Sequence, residues 1–236
     1  MSAIYKLLSV LLTYPTEEMR AAAGELRRAI AADTSITAHH RTGLVALVDD
    51  IASGDLLDIQ ERYVFLFDRS RSLSLHLFEH IHGESRDRGQ ALVDLRAMYE
   101  AAGLEISARE LPDYLPLFLE FLSIRPPDEA RALLHQTLHI VAAIGERLAK
   151  RESKYACVFQ TLVALAAQRP NPEDLAALRE AEEDDPSDLQ ALDRAWEEEP
   201  VTFGPGATST CPAERLEVKL RASMRPGDDA LPGQRR

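Results

Sequence analysis

The chain has 236 residues and 45% hydrophobic content, enough for a substantial core without staples, at the upper end of one domain or the lower end of two. Its net charge of −12 disfavours nucleic acid and anionic membrane as partners, because both need a basic footprint. Cys157 and Cys211 lie far apart with no CxxC partner, which excludes a disulfide framework, zinc knuckle or iron–sulfur ligand set and implies a reducing compartment.

The opening stretch, MSAIYKLLSVLLTYP, has an apolar run broken by Tyr5, Lys6, Ser9 and Thr13 and carries no small-residue cleavage site. It predicts an amphipathic helix with Ile4, Leu7, Leu8 and Leu11 on one face rather than a signal peptide. No segment approaches the roughly 20 apolar residues of a membrane span, so a cytoplasmic location is expected. Strand signals are almost absent, with no period-2 alternation and no Asn-Gly or Asp-Gly hairpin. Helical stripes follow in Met19, Ala22, Ala23, Leu26 and Ile30, then in Leu44, Leu47, Val48 and Ile51. Asp55 is placed to cap the helix that carries Tyr63.

From Tyr63 the apolar stripe reads Tyr63, Leu66, Phe67, Leu73, Leu77 and Ile81, and after Gly83 it restarts as Ala91, Leu92, Leu95, Met98, Tyr99 and Ala102. Two helices joined by a glycine stop are expected. Traced backwards in steps of three and four, the second stripe reaches Arg88 and Glu84, so an acid and a base extend the line that faces the core. That is a polar site or a buried ion pair. The segment GLEISARELPD has no period and predicts a connector. Tyr114 to Leu122 is apolar nearly all round and predicts a central helix, with Asp113 capping and Pro112 and Pro116 fixing its start.

After Pro126-Pro127 one long amphipathic helix is expected, with Ala130, Leu133, Leu134, Leu138, Val141, Ile144 and Leu148 inward. Ser153 is placed to cap a further helix with Tyr155, Phe159, Leu162, Val163 and Ala166 inward. Between Glu173 and Glu199 twelve acids stand against two arginines, which predicts either a solvated face or a region that steers a basic partner. Within it Leu189, Leu192 and Trp196 form a last, weaker stripe. Residues 1–203 are read as one all-helical domain and 204–236, rich in Pro, Gly, Ser and Thr, as a flexible tail.

Two places concentrate chemistry. His76-Leu77-Phe78-Glu79-His80 spells HxxEH, the spacing in which two histidines a helical turn apart hold zinc and a glutamate acts as base. The bland reading is histidines on a helix flank. His80, His82, Glu84, Arg86, Asp87 and Arg88 surround Gly83, either as a helix-to-helix turn with local ion pairs or as the polar lining of a binding groove. No Gly-rich phosphate loop, serine elbow or triad-like cysteine occurs, so catalysis has little to stand on. A groove presented to another helix or extended peptide is the alternative, either for a dedicated partner or as a helical adaptor.

Several segments resemble the nitrate reductase molybdenum cofactor assembly chaperones, the NarJ family, and more distantly the TorD and DmsD class. They are Tyr63-Val64-Phe65-Leu66-Phe67-Asp68-Arg69, the run from Leu77-Phe78-Glu79-His80-Ile81-His82-Gly83-Glu84 through Ser85-Arg86-Asp87-Arg88-Gly89-Gln90, and Glu110-Leu111-Pro112-Asp113 with Leu115-Pro116-Leu117. Arg151-Glu152-Ser153-Lys154-Tyr155 and Trp196-Glu197-Glu198-Glu199 complete the match.

The resemblance implies a single-domain helical bundle of the TorD-like type and a non-enzymatic chaperone with no cofactor or metal of its own. Its implied client is the immature catalytic (alpha) subunit of nitrate reductase, bound by its N-terminal segment for molybdenum cofactor insertion before membrane attachment. In this reading Phe67, Leu77, Phe78 and Phe118 supply contact area, and Glu84, Arg86, Asp87 and Arg88 orient the peptide. His80, His82, Glu110, Pro112, Asp113 and Tyr114 complete the expected site. The wider class has a histidine at the place of Tyr114, and His76 stands outside the family signature.

Overall fold

The computed structural model describes residues 3–82, 86–106 and 110–181, with the side chains of His82 and Arg86 outside that description. The tail, the stripe of Leu189, Leu192 and Trp196, Cys211 and Glu84 lie beyond the described residues.

The described residues form α-helices throughout and no strand, with one isolated β-bridge. In chain order the helices are α1 (Ala3–Leu11), α2 (Glu17–Ala21), α3 (Ala23–Ala32), α4 (Ala38–Ser53), α5 (Leu56–Phe67), α6 (Glu79–His82) and α7 (Arg86–Ala101). They continue as α8 (Leu115–Ile124), α9 (Pro127–Gln136), α10 (Leu138–Lys150), α11 (Ala156–Leu165) and α12 (Pro172–Glu180), and a 3-10 turn covers Arg71–Leu73. The predicted all-α class is what the chain adopts.

Local chemistry sets most helix starts. Asp55 accepts from the amides of Leu57 and Asp58, as its position predicts, and Thr16, Thr37 and Asn171 do the same for α2, α4 and α12. Each satisfies an amide that the helix itself leaves without a partner. The Ser153 hydroxyl accepts the Tyr155 amide at 3.3 Å just ahead of α11.

The core centres on two helix pairs. α1 lays Ile4, Leu7, Leu8 and Leu11 against α8, whose Leu115, Phe118, Leu119 and Leu122 are fully buried. The Ser9 hydroxyl donates to the Pro116 carbonyl at 2.7 Å, satisfying a group that Pro116 leaves open at the helix start. α10 is buried on nearly every side and packs on α9, α11, α12 and the 3-10 turn.

Glycine decides how closely α11 approaches its neighbours. A Cβ on Gly145 of α10 would lie 2.9 Å from the Phe159 Cβ, and one on Gly43 of α4 would lie 2.9 Å from the Cys157 Cβ. Gly145→Ala is therefore expected to destabilise the fold by about 1–3 kcal/mol through overpacking. Urea unfolding checks this; an unchanged midpoint would show that the helices separate freely. Cys157 is itself a packing residue, since burial pushes its thiol up to about 12 and keeps it from acting as a nucleophile.

Three sequence expectations need correction. The stripe from Tyr63 to Ile81 is not one helix: α5 stops at Phe67, and residues 68–78 turn and extend before α6. Serines explain the break, because Ser70 and Ser72 bond each other and the Ser74 hydroxyl accepts the His76 amide, bonds that compete with helix. The single long helix after Pro127 is two, divided at Thr137, whose hydroxyl turns back onto the Leu134 carbonyl at 3.1 Å. Asp113 does not cap α8: the capping position is Tyr114, which makes no side-chain cap bond, and the carboxylate is used elsewhere.

Candidate functional site

Between the 3-10 turn and α6 the chain runs extended and pairs antiparallel with the residues ahead of α8, with His76 opposite Tyr114. The Leu77 amide donates to the Asp113 carbonyl at 3.0 Å, and the Leu115 amide to the Leu75 carbonyl at 2.8 Å. At the centre stands Asp113, 0% exposed. Its Oδ2 accepts the Phe78 amide at 3.1 Å and its Oδ1 accepts His76 Nδ1–H at 3.2 Å. The Arg88 guanidinium lies 3.9 Å from Oδ2 and donates to Glu79 Oε1 at 3.1 Å. A carboxylate withdrawn from water is tolerated only with donors and cations of this kind around it.

Aromatic groups close the junction. The His76 ring packs on Tyr114 with centroids 5.4 Å apart, and Tyr99 Oη–H donates to the Pro112 carbonyl at 2.9 Å. Tyr63 donates to the Leu12 carbonyl at 2.8 Å and lies 3.3 Å, oxygen to oxygen, from Tyr114. Burial raises the Tyr63 and Tyr99 phenols far above their ordinary range, so both stay protonated and able to donate. Although Tyr114 stands where the wider class has histidine, an imidazole still lies beside Asp113, supplied by His76.

The two histidines of this region titrate in opposite senses. Burial works against charged His76, but the Asp113 hydrogen bond and charge, helped by Glu79 and opposed by Arg88, outweigh it and raise its pKa above 6.5. For His80 burial dominates and lowers the pKa, aided by Arg147 and His139 against the Ser74 carbonyl bond and Glu79. A raised folded pKa gives stability that is complete below 6.5 and is lost as pH rises through the folded value; a lowered one gives stability that is complete above 6.5 and erodes on acidification.

His76→Gln is therefore expected to flatten the fall in stability on the alkaline side and leave the acid side unchanged. Urea unfolding in a pH series across 6.5 measures both slopes. An unchanged alkaline slope would remove His76 from the linkage.

The junction brings together His76, Phe78, Glu79, Arg88, Pro112, Asp113 and Tyr114, which the sequence places in three separate segments. Asp87 occupies the first turn of α7, as expected of a helix start, and Glu110 is exposed at the edge. His82 ends α6 and Arg86 begins α7; their side chains, and all of Glu84, lie outside the described residues. Arg88 pairs with Glu79 rather than through the i,i+4 spacing expected with Glu84.

The expected contact residues Phe67, Leu77, Phe78 and Phe118 are corrected by their burial: all are core side chains with no face to offer a peptide. The HxxEH geometry is also not realised. His76 precedes α6 in the bridged segment, while His80 Nε2–H donates to the Ser74 carbonyl at 2.8 Å. Among the described residues no group of three or more His, Cys, Asp or Glu is placed to hold a metal ion.

Sequence reasoning missed two features. Arg147 is buried and donates to the Ser72 carbonyl at 2.9 Å, tying the turn ahead of the junction to α10. A lone arginine inside the stripe of Val141, Ile144 and Leu148 was its signal. Leu57 and Phe65 are exposed although they share α5 with Ile59, Tyr63 and Leu66, so α5 is apolar on two faces.

A family model described as nitrate reductase delta subunit matches residues 15–160, the span that holds the whole junction. The chain is 46% identical over 160 residues to the nitrate reductase molybdenum cofactor assembly chaperone NarJ of Escherichia coli (strain K12), covering 68% of each chain. The chain belongs to the nitrate reductase delta subunit family. Another relative is the probable chaperone of the same description, NarW of Escherichia coli (strain K12), 39% identical over 180 residues, with 76% of this chain and 75% of NarW covered. A probable NarJ of Bacillus subtilis (strain 168) is 33% identical over 160 residues, 68% of this chain and 86% of its own. The family assignment reaches Asp113, Tyr114, His76 and Arg88 alike, whereas α12 and the acidic region fall outside the matched span.

Proposed function

We propose that this chain is a dedicated, non-enzymatic chaperone for a respiratory nitrate reductase. It binds the N-terminal segment of the immature catalytic (alpha) subunit, holds it competent for molybdenum cofactor insertion, and leaves before the complex attaches to the membrane. The observation that carries this reading is the 46% identity over 160 residues to NarJ, whose name states that role. The chaperone works in the cytoplasm; no helix among the described residues is long and apolar enough to cross a membrane.

Such a cycle needs only differential affinity, tighter for the immature subunit than for the mature one, and no cofactor of the chaperone's own. Asp87, Arg88, Glu110 and Tyr114 stand around the bridged junction and form the polar edge at which the client is oriented. Asp113 and His76 act behind them, by holding the loop ahead of α6 against the start of α8.

The test uses the full-length tagged chain with the catalytic subunit co-expressed in two forms, intact and lacking its N-terminal segment. Capture of the intact cofactor-free form alone is expected. Capture that ignores the deletion, or no capture of either form, would overturn the reading.

A further inference from the structure

The outward face of α5 is an apolar surface that no described element covers. Leu57, Phe65 and Tyr14 are 73%, 38% and 44% exposed, and with Gln60, Glu61, Val64 and Arg69 they line one groove of about 280 Å³. At about 100° per residue, Ile59, Tyr63, Leu66 and Phe67 take the inner side of α5, and Leu57, Val64 and Phe65 take the opposite arc with Asp58 and Glu61 among them. One apolar stripe suffices to seat a surface helix. The second is spare.

We infer that this groove seats an amphipathic segment of the client, apolar where it meets Tyr14, Leu57, Val64 and Phe65 and basic where it faces Asp58 and Glu61. The inference rests on the chaperone reading and adds to it the surface and the chemistry of the contact. Charge selects the occupant. Asp58 and Glu61 interleave with the apolar residues on a chain of net charge −12, so a cation on the partner is favoured and an anionic one repelled. A second copy is disfavoured by the same charges, because a two-fold contact centred on this face sets Glu61 against its own counterpart. Apolar positions one and two turns apart suit a partner helix laid along α5.

The groove also connects to the junction. Tyr14 stands edge-on to Tyr63 at 5.6 Å between centroids, and the Tyr63 hydroxyl reaches that of Tyr114, which neighbours Asp113. An occupant pressing on Tyr14 is thus two side chains from the bridge.

The experiment titrates the purified full-length chain with a synthetic peptide of the catalytic subunit's N-terminal segment, read by fluorescence anisotropy at low and high salt. Three variants are compared: Leu57→Ser with Phe65→Ser, Glu61→Lys, and Val93→Ser, an exposed apolar control on α7. The double variant is expected to bind at least tenfold more weakly with an unchanged melting temperature. Glu61→Lys is expected to weaken binding and reduce its salt dependence, and Val93→Ser to behave as wild type.

If wild type and double variant bind alike, the groove is not the seat while the chaperone reading stands. If wild type neither binds the peptide nor captures the immature subunit, both fall. A double variant that changes only sedimentation, from dimer to monomer, shows a second copy on this face and overturns the inference.

Discussion

Phe118→Ala is expected to lower the unfolding free energy by about 3–5 kcal/mol, because it deletes a buried ring at the α1–α8 contact and leaves a cavity. Against the 5–15 kcal/mol typical of a whole domain that is a large share. Urea denaturation should show an earlier midpoint with an unchanged slope. The result separates two roles for this phenylalanine. A core residue costs stability and leaves client affinity intact under conditions where the variant is still folded; a contact residue does the reverse. Full stability in Phe118→Ala together with lost client binding would return it to the surface.

Asp113→Ala is expected to be comparably costly, about 3–5 kcal/mol, since it strips the Phe78 amide of its acceptor and removes the charge facing His76 and Arg88. Asp113→Asn keeps an acceptor for the amide and should cost about 1–2 kcal/mol. It also carries a separate signature. With the carboxylate gone, burial is the main influence left on the imidazole, so the His76 pKa should fall from its raised position to below 6.5. Proton NMR titration of the His76 ring reads this directly, and a pKa that stays raised in Asp113→Asn would mean that another group holds the charge.

These two residues mark how far the pattern of residues carries. Phe118 sits in a segment apolar all round, and a buried central helix is what that composition predicts and what α8 is. The same composition holds no information about which phenylalanines a partner could touch. For Asp113, proximity to the helix start suggested capping, whereas the carboxylate faces backwards to an amide 35 positions earlier in the chain. The expected helix through Tyr63 and Ile81 failed for a related reason. Leu73, Leu77 and Ile81 keep a four-residue step, but serines between Phe67 and Leu77 offer the backbone other partners. Arg147 was hidden because nothing near it in sequence can satisfy its guanidinium.

What the residue order determined by itself is local: the all-α class, the inner faces of α1, α4 and α10, the Asp55 cap, the proline at the start of α8, and the segments shared with the delta subunit family. Helical period and capping depend on side chains within a turn or two of each other, and so are written in adjacent residues. Tertiary structure alone decided which of the two apolar faces of α5 turned inward, which donors reached the buried carboxylate of Asp113, and that residues near 76 and 114 would meet. Each of these is chosen by packing between distant segments, where a buried charge takes whatever donors the core brings to it and an apolar stripe is covered only if another helix arrives.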